Sequence, residues 1–177
     1  MNIINTPSIA ARLSLATIAS IALFSATSHA QQAPSSAVRT EHNISLGLAN
    51  DIAAAALAAC SANGYNVAVT VVDRAGGVRA VQRADNAGPH TLGASQQKAF
   101  TAASAKNTTL AMQENVQKNP AASTLVYIPG FLLVGGGVPI KVGNEVIGAI
   151  GIGGAPGGHL DEQCAMVALD KVKDMLK

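Results

Sequence analysis

Tryptophan is absent from this 177-residue sequence, which holds only three phenylalanines and two tyrosines. With so few aromatic rings, the chain offers no row of side chains on which nucleobases could stack. Charged residues are also scarce, at 12% of the chain, and twelve lysines and arginines oppose ten acids. That balance gives no basic surface of the kind that binds nucleic acid. The sequence therefore predicts no nucleic-acid partner, and its core must be built from small aliphatic side chains.

The chain also lacks a continuous apolar run of about 20 residues, the length that crosses a bilayer. The apolar run Leu13 to Phe24 is shorter, follows Arg12, and leads into small residues that end at Ala30. This pattern is typical of a secretory signal peptide over residues 1–30. Its removal would take away Arg12 and leave a mature net charge near +1. We expect a periplasmic or secreted protein without a membrane segment after cleavage.

The mature chain has the length of one domain. Residues 31–43 are polar and contain proline and serine, which predicts a flexible leader. Residues 44–177 are enough to bury a core of their own and predict a single domain.

Only two cysteines are present, and no C-x-x-C motif, so a redox-enzyme site has no support. Cys60 lies near the end of one predicted helix and Cys164 near the start of another, each on an apolar stripe. An exported chain favours a disulfide between them. The alternative is a pair of buried free thiols.

Periodicity and turn residues predict an order of helix, two strands, helix, three strands, helix. Because the strands come in hairpins, they predict an α+β fold whose five-stranded, mainly antiparallel sheet has helices packed on it. Gly148 and Gly151 lie inside the last strand, which indicates close approach of a helix or a ligand. The predicted helices cover 45–61, 91–103 with a weaker continuation over 107–119, and the residues after Gly158. Thr91 is the expected N-cap of the second helix. The strands cover 67–72, 78–84, 131–134, 137–142 and 145–153.

Three segments resemble one known family. They are Val69 to Gly77 (VTVVDRAGG), Lys98 to Ala102 (KAFTA) and the glycine-rich stretch from Gly135 to Cys164. Together they resemble the GlcG/HbpS-like group of small haem-binding proteins, also called the haem-degrading domain. The resemblance spans nearly the whole mature chain and implies a profilin-like fold that self-assembles, so we expect a homo-oligomer. In that fold the first and last strands are neighbours, which places the two cysteine-bearing helices side by side.

The resemblance implies haem as the ligand, and haem needs an axial donor, an apolar wall and cations for its propionates. His90 follows Gly88-Pro89 at the start of the second helix, where a rigid loop could point its imidazole outward. The alternative is a solvent-exposed residue beside a helix cap. His159 is a weaker candidate ligand, or else a loop residue, and Met112 and Tyr127 are further possible donors.

Other residues could complete such a site. Lys98, Arg74, Arg79 and Arg83 could bind the propionates, while Leu92, Phe131 and Leu132 could form the wall. Lys98 could instead be a snorkelling surface lysine, and Asp73 is expected to cap its hairpin turn. The glycines at 135–137 and at 153–154 could form N–H nests for a carboxylate, or could only serve turns and close packing.

Three functions follow as hypotheses. The first is an exported protein that captures or buffers haem; any breakdown of haem would be driven by the cofactor, since no nucleophile–base pattern, dinucleotide fingerprint, P-loop or zinc-protease motif is present. The second, implied by the link of GlcG-like proteins to glycolate use, is a small organic-acid binder. The third is an oligomeric interaction module without a ligand.

Overall fold

The first helix of the domain, α1 (Leu46–Ala62), is capped at its start by Ser45, whose side chain accepts a hydrogen bond from the Leu48 N–H. The computed structural model describes residues 37–177, of which 40–177 form one compact unit. The predicted signal peptide and residues 31–36 lie outside that range. Alanine fills the buried face of α1, and Gly64 ends the helix with φ +78°. Within residues 37–177, no helix is long and apolar enough to span a bilayer.

A hairpin of β1 (Ala68–Asp73) and β2 (Val78–Arg83) follows, as the sequence predicts. One Asp73 carboxylate oxygen accepts hydrogen bonds from the N–H groups of Ala75 and Gly77, at 3.0 and 2.8 Å. Asp73 therefore caps the turn, which confirms its predicted structural role.

The second helix, α2 (His90–Ala105), begins one residue earlier than predicted. Thr91 is not its N-cap, because the residue at that position is Pro89 and the Thr91 hydroxyl instead donates to the Gly88 carbonyl at 2.7 Å. Lys106, in a left-handed conformation, ends α2. The next helix, α3 (Thr109–Lys118), is a separate element and not a continuation, and it is followed by a 3-10 segment, Pro120–Tyr127.

In the described part of the chain, four strands form the sheet, so the prediction of five was wrong. The remaining strands are β3 (Gly137–Val142) and β4 (Glu145–Gly153), and the order β2-β1-β4-β3 is antiparallel throughout. Residues 131–134 were predicted as a strand, but their N–H groups are used elsewhere. The Leu132 N–H donates to the Thr101 hydroxyl of α2 at 2.8 Å, and the Phe131 N–H donates within a turn. This segment therefore follows α2 and does not join the sheet.

Helices cover both faces of the sheet. On one face α2 lies so close that a Cβ at Gly151 would collide with the backbone of Ser95 and Ala99. The glycine in β4 thus reflects close approach of a helix, as predicted. Gly148 differs, because a Cβ there would meet the Val72 carbonyl and Ile44. The other face carries the larger core, which α1 and α4 (Gly158–Lys171) build with the isoleucines and valines of the sheet.

The end of α1 and the middle of α4 are joined covalently. Cys60 and Cys164 form a disulfide with a Cα–Cα separation of 5.4 Å. Strands β1 and β4 pair directly, so the first and last strands are neighbours, as the resemblance implied.

Candidate functional site

A pocket of about 280 Å³ lies where α2 and α4 begin, and we call it the α2–α4 pocket. Neither helix start is capped by a side chain, because Pro89 and Gly157 occupy the N-cap positions. The lining combines one stripe of α2, two residues of the segment that precedes β3, and the glycine-rich connection between β4 and α4. These residues are His90, Ala94, Lys98, Leu132, Val134, Gly153, Gly154, Ala155, Pro156, Gly157, Gly158 and Asp161.

His90 stands at the mouth of this pocket as the first residue of α2, and it is exposed. Its ring lies over Gly88, where a Cβ would approach the His90 Cε1 to 2.8 Å. Glycine at position 88 therefore leaves room for the imidazole. Leu132 and Val134 contribute aliphatic surface beside it, and Val134 is 39% exposed. The pocket brings together a candidate axial nitrogen and an apolar wall.

Lys98 lines the same pocket, but it is only 4% exposed and is not a snorkelling surface residue. Its ammonium donates to an Asp161 carboxylate oxygen at 2.8 Å and to the Ile152 carbonyl at 2.9 Å. Burial raises the pKa of the Asp161 carboxyl, while the Lys98 charge and the backbone N–H of Ala155 act against that rise. A buried carboxylate of this kind requires its partner cation. Lys98 therefore already neutralises a carboxylate of the protein itself.

The two glycine runs bind side chains of the same chain. The N–H of Gly135 donates to Gln113 at 3.0 Å, and the N–H of Gly137 donates to Thr109 at 2.8 Å. The N–H of Gly136 lies 3.4 Å from Glu162, and Ala155, next to Gly154, donates to Asp161 at 3.0 Å. These backbone donors secure α3 and α4 to the sheet, which agrees with the turn and packing role.

Arg83 and Arg74 lie outside the pocket lining, and only Arg83 belongs to its surroundings. The Arg83 guanidinium donates from two nitrogens to the Ala87 carbonyl, on the loop that leads to His90. Arg74 instead lies at the β1–β2 turn, 2.6 Å from Glu145 and 3.4 Å from Glu41. Of these two arginines, Arg83 is the one placed to reach a ligand at His90.

Arg74 belongs to a cluster that holds the end of the predicted leader. The His42 Nδ1 lies 2.7 Å from Glu145, and the Asn43 side chain accepts a hydrogen bond from the Arg74 N–H. Hydrogen bonds from His42 and Arg74 lower the pKa of Glu145 from 4.5 to about 2. Residues 41–43 are thus tied to the domain by charge.

The other candidate donors are spread over the domain. His159 is exposed in the first turn of α4, and its ring packs over Gly157, which lines the pocket. Met112 is buried in α3, whereas Tyr127 is 82% exposed. Residues 37–177 contain no group of three or more His, Cys, Asp or Glu side chains that could hold a bare metal ion.

Asp161 is the site residue that sequence reasoning missed. From the sequence alone, Asp161 is a first-turn acid that complements the dipole of α4. Its spacing carried a second signal, because Asp161, Cys164 and Ala168 follow one another at helical intervals on the buried stripe. An acid on such a stripe requires a buried cation, and Lys98 lies on the buried stripe of α2.

Comparison with known proteins places this geometry among relatives. The family described as "Haem degrading protein HbpS-like" matches residues 44–170. Protein GlcG of Escherichia coli strain K12 is 33% identical over 115 residues, which are 65% of this chain and 84% of GlcG.

Solved structures agree with the fold. A double mutant of Streptomyces reticuli HbpS is 31% identical, with a TM-score of 0.72 over 90% of this chain and 98% of that one. A PduOC–haem complex is 23% identical, with a TM-score of 0.66 over 72% of this chain and 94% of that one, and this likeness concerns the fold alone.

Proposed function

Because this chain belongs to the HbpS-like family of haem-degrading proteins, we propose that it binds haem and that His90 supplies the nitrogen that ligates the iron. The observation that carries the proposal is an exposed imidazole at the first residue of α2, over a pocket with an aliphatic wall. A structural neighbour, PduOC, was crystallised as a haem complex. Bound haem would supply the redox and oxygen chemistry of its iron, while the residues of the chain hold it in place.

The residues present fit the needs of haem at three points. His90 provides the donor, Leu132 and Val134 provide the wall, and Arg83 provides a cation close to the His90 loop. Lys98 and Arg74 already bind carboxylates of the protein, so Arg83 is the best propionate partner among the predicted cations. With about 280 Å³, the pocket can hold only part of a macrocycle. The remaining surface of the haem would lie in solvent or against a second copy of the expected homo-oligomer.

Titration with haemin tests the proposal. We expect a saturable shift of the Soret band with the mature protein, and a dissociation constant that rises by about tenfold or more in His90→Ala because a metal–ligand bond is lost. His42→Ala is the matched control, since it removes another exposed histidine outside the pocket. The absence of a saturable shift would refute haem binding. Loss of binding in His159→Ala, with His90→Ala unchanged, would transfer the ligand role to His159.

The organic-acid alternative receives less support from the same geometry. The N–H groups of Gly135, Gly137 and Ala155, which could bind a carboxylate, donate to Gln113, Thr109 and Asp161, and the Lys98 ammonium is neutralised. We therefore expect no thermal stabilisation by glycolate at concentrations where haemin saturates the protein. A saturable rise in melting temperature with glycolate would favour the alternative. If neither compound binds, the ligand-free interaction module remains.

Export is part of the proposal. The residues before Gln31 have the pattern of a signal peptide, and a Cys60–Cys164 bridge suits an oxidising compartment. A periplasmic or secreted location would place haem capture outside the cytoplasm.

A further inference from the structure

A second groove, of about 340 Å³, runs along the outer surface of α2, and its lining shares no residue with that of the α2–α4 pocket. We call it the Phe100 groove. The turn of the β1–β2 hairpin forms one side, the connection after the 3-10 segment forms the other, and α2 forms the floor. Its lining residues are Gly76, Gly93, Gln96, Gln97, Phe100, Pro129 and Gly130.

The aromatic wall of this groove is held rigidly. Gly76 and Gly130, with φ +86° and +84°, pack against the Phe100 ring. A Cβ at Gly76 would lie 2.7 Å from the ring, and a Cβ at Gly130 would lie 3.3 Å from it. Phe131 contacts the ring edge-on, with centroids 6.3 Å apart and an interplanar angle of 74°. A half-buried ring fixed by three neighbours is a preorganised surface for stacking.

Gly93 has no structural reason to be glycine. It lies in α2, and its φ is outside the left-handed region. A Cβ at this position would meet nothing within 4 Å, unlike at Gly76, Gly130 or Gly151. Glycine is the least favourable helix residue after proline, so the fold alone would favour alanine here. The missing side chain keeps the floor of the groove flat.

Two carboxamides flank this floor. Gln96 and Gln97 are exposed, and across residues 37–177 neither side chain makes a hydrogen bond. Each offers one carbonyl acceptor and an NH₂ donor. Among the described residues, no charged side chain lines the groove, so its chemistry does not match the two propionates of haem.

We propose that the Phe100 groove is a binding site for a neutral, planar heteroaromatic compound whose edge carries a lactam or imide. The ring would stack on Phe100 above Gly93, while its alternating N–H and C=O groups pair with Gln96 and Gln97. The groove volume lies near the lower end of ligand pockets, which suits a bicyclic or tricyclic ring. This site is separate from the α2–α4 pocket and does not depend on haem binding.

Lumichrome, a neutral tricyclic imide that fluoresces, is the probe for a direct test. We expect saturable quenching of its fluorescence, and a loss of affinity of about tenfold or more in Gly93→Leu, because leucine would fill the groove while remaining a good helix former. Gln97→Leu should weaken binding by about fivefold through the lost hydrogen bond. Gly47→Leu is the matched control, since this α1 glycine also has open space at its Cβ. Both glycine variants should melt at or above the temperature of the native protein, because leucine is the better helix former.

Four results would overturn the proposal. The first is the absence of saturable lumichrome binding, and the second is equal binding by Gly93→Leu and the native protein. The third is a change of oligomeric mass in Gly93→Leu, which would assign the groove to a subunit interface. Displacement of lumichrome by haemin would merge the two sites and would also contradict the proposal.

Discussion

Single charged residues in this domain act through partners that are far away in the sequence. Lys98 and Asp161 are 63 positions apart and form one buried ion pair, while Glu145 joins His42 to Arg74. The first pair lies in a dry environment, and the second cluster lies at the surface. The two therefore respond differently to pH.

Glu145 gives the clearest pH dependence. Its hydrogen bonds to His42 and Arg74 lower its pKa from 4.5 to about 2, so its stabilising contribution is complete above the unfolded value and is lost as the pH falls from about 4.5 towards 2. We expect Glu145→Gln to lower the melting temperature near neutral pH, with a difference from the native protein that shrinks over that interval.

Thermal unfolding of both proteins between pH 2 and 7 measures this difference. The control is Glu114→Gln, whose exposed partner Lys118 is 3.7 Å away and contributes little. A difference that stayed constant down to pH 2 would show that Glu145 acts by packing and not by charge.

At the residue scale, a contact between residues close in the sequence could be predicted, and an ion pair between distant residues could not. Asp73 was assigned its hairpin cap because an Asp bonds to backbone a few residues away, which is a local event. Lys98 was predicted either to bind a propionate or to be a surface lysine. Its burial and its partner Asp161 depend on how α2 and α4 meet across the sheet. A local sequence pattern does not identify the cation that pairs with a buried acid.

The elements approach one another through glycine and alanine, and α2 is the clearest case. It lies against Gly151 and Gly153 of β4 and Gly137 of β3, where side chains on the sheet would collide with the helix. Close approach compensates for the scarcity of aromatic side chains in this sequence. The position of α2 fixes both the α2–α4 pocket and the Phe100 groove.

For substitutions along β4, the loss of stability should increase as the distance between the new Cβ and α2 decreases. Gly151→Ala would drive a Cβ into the backbone of Ser95 and Ala99, so we expect a loss of about 1–3 kcal/mol from overpacking. Gly153→Ala would meet Ala94 at 3.2 Å and should destabilise less. Urea unfolding of both variants measures the order, and equal losses would contradict the close packing of α2 inferred from Gly151.

Most elements could be predicted from periodicity and turn residues, and the errors have a common cause. Residues 131–134 are apolar enough to predict a strand, yet the Leu132 N–H bonds to α2 and the Phe131 N–H bonds within a local turn. Strand propensity describes a half-buried surface and not a pairing partner. A similar limit applies to Thr91. Its side chain suits an N-cap, but α2 begins at His90 and Pro89 occupies the N-cap position.

At the scale of the whole molecule, a disulfide joins the helices that cover one face of the sheet. Cys60 and Cys164 are 104 positions apart and both are buried. Closing a loop of this length stabilises a fold by up to about 4.7 kcal/mol, in the chain-entropy account. The bridge compensates for a core made mainly of small side chains.

Intact-mass analysis of protein recovered from the periplasm or medium tests export and the disulfide together. We expect a chain that begins near Gln31 and is lighter by the two hydrogens of a bridge, and that takes up two alkyl groups only after reduction. The reduced protein should melt at a lower temperature. Alkylation of both cysteines without reduction would contradict the bridge, and a full-length chain confined to the cytoplasm would contradict export.

The family could be predicted from motifs that span the chain, and the comparisons confirm it. The antiparallel sheet with packed helices is confirmed as well, but with four strands and not five. Self-assembly stays a prediction. The exposed apolar residues Val126, Tyr127 and Ile128 form a surface that a second copy could cover. A ligand site shared between copies cannot be located from one sequence, because each copy supplies only part of its contacts.

Haem ligation by His90 is the central claim, and imidazole rescue tests it most directly. The absorption spectrum of the ferric haem complex is recorded for the native protein and for His90→Ala, with and without free imidazole. We predict an altered Soret band in His90→Ala that returns to the native position when imidazole fills the vacated ligand site. A native protein without a saturable haem complex, or a variant with an unchanged spectrum, would contradict the claim.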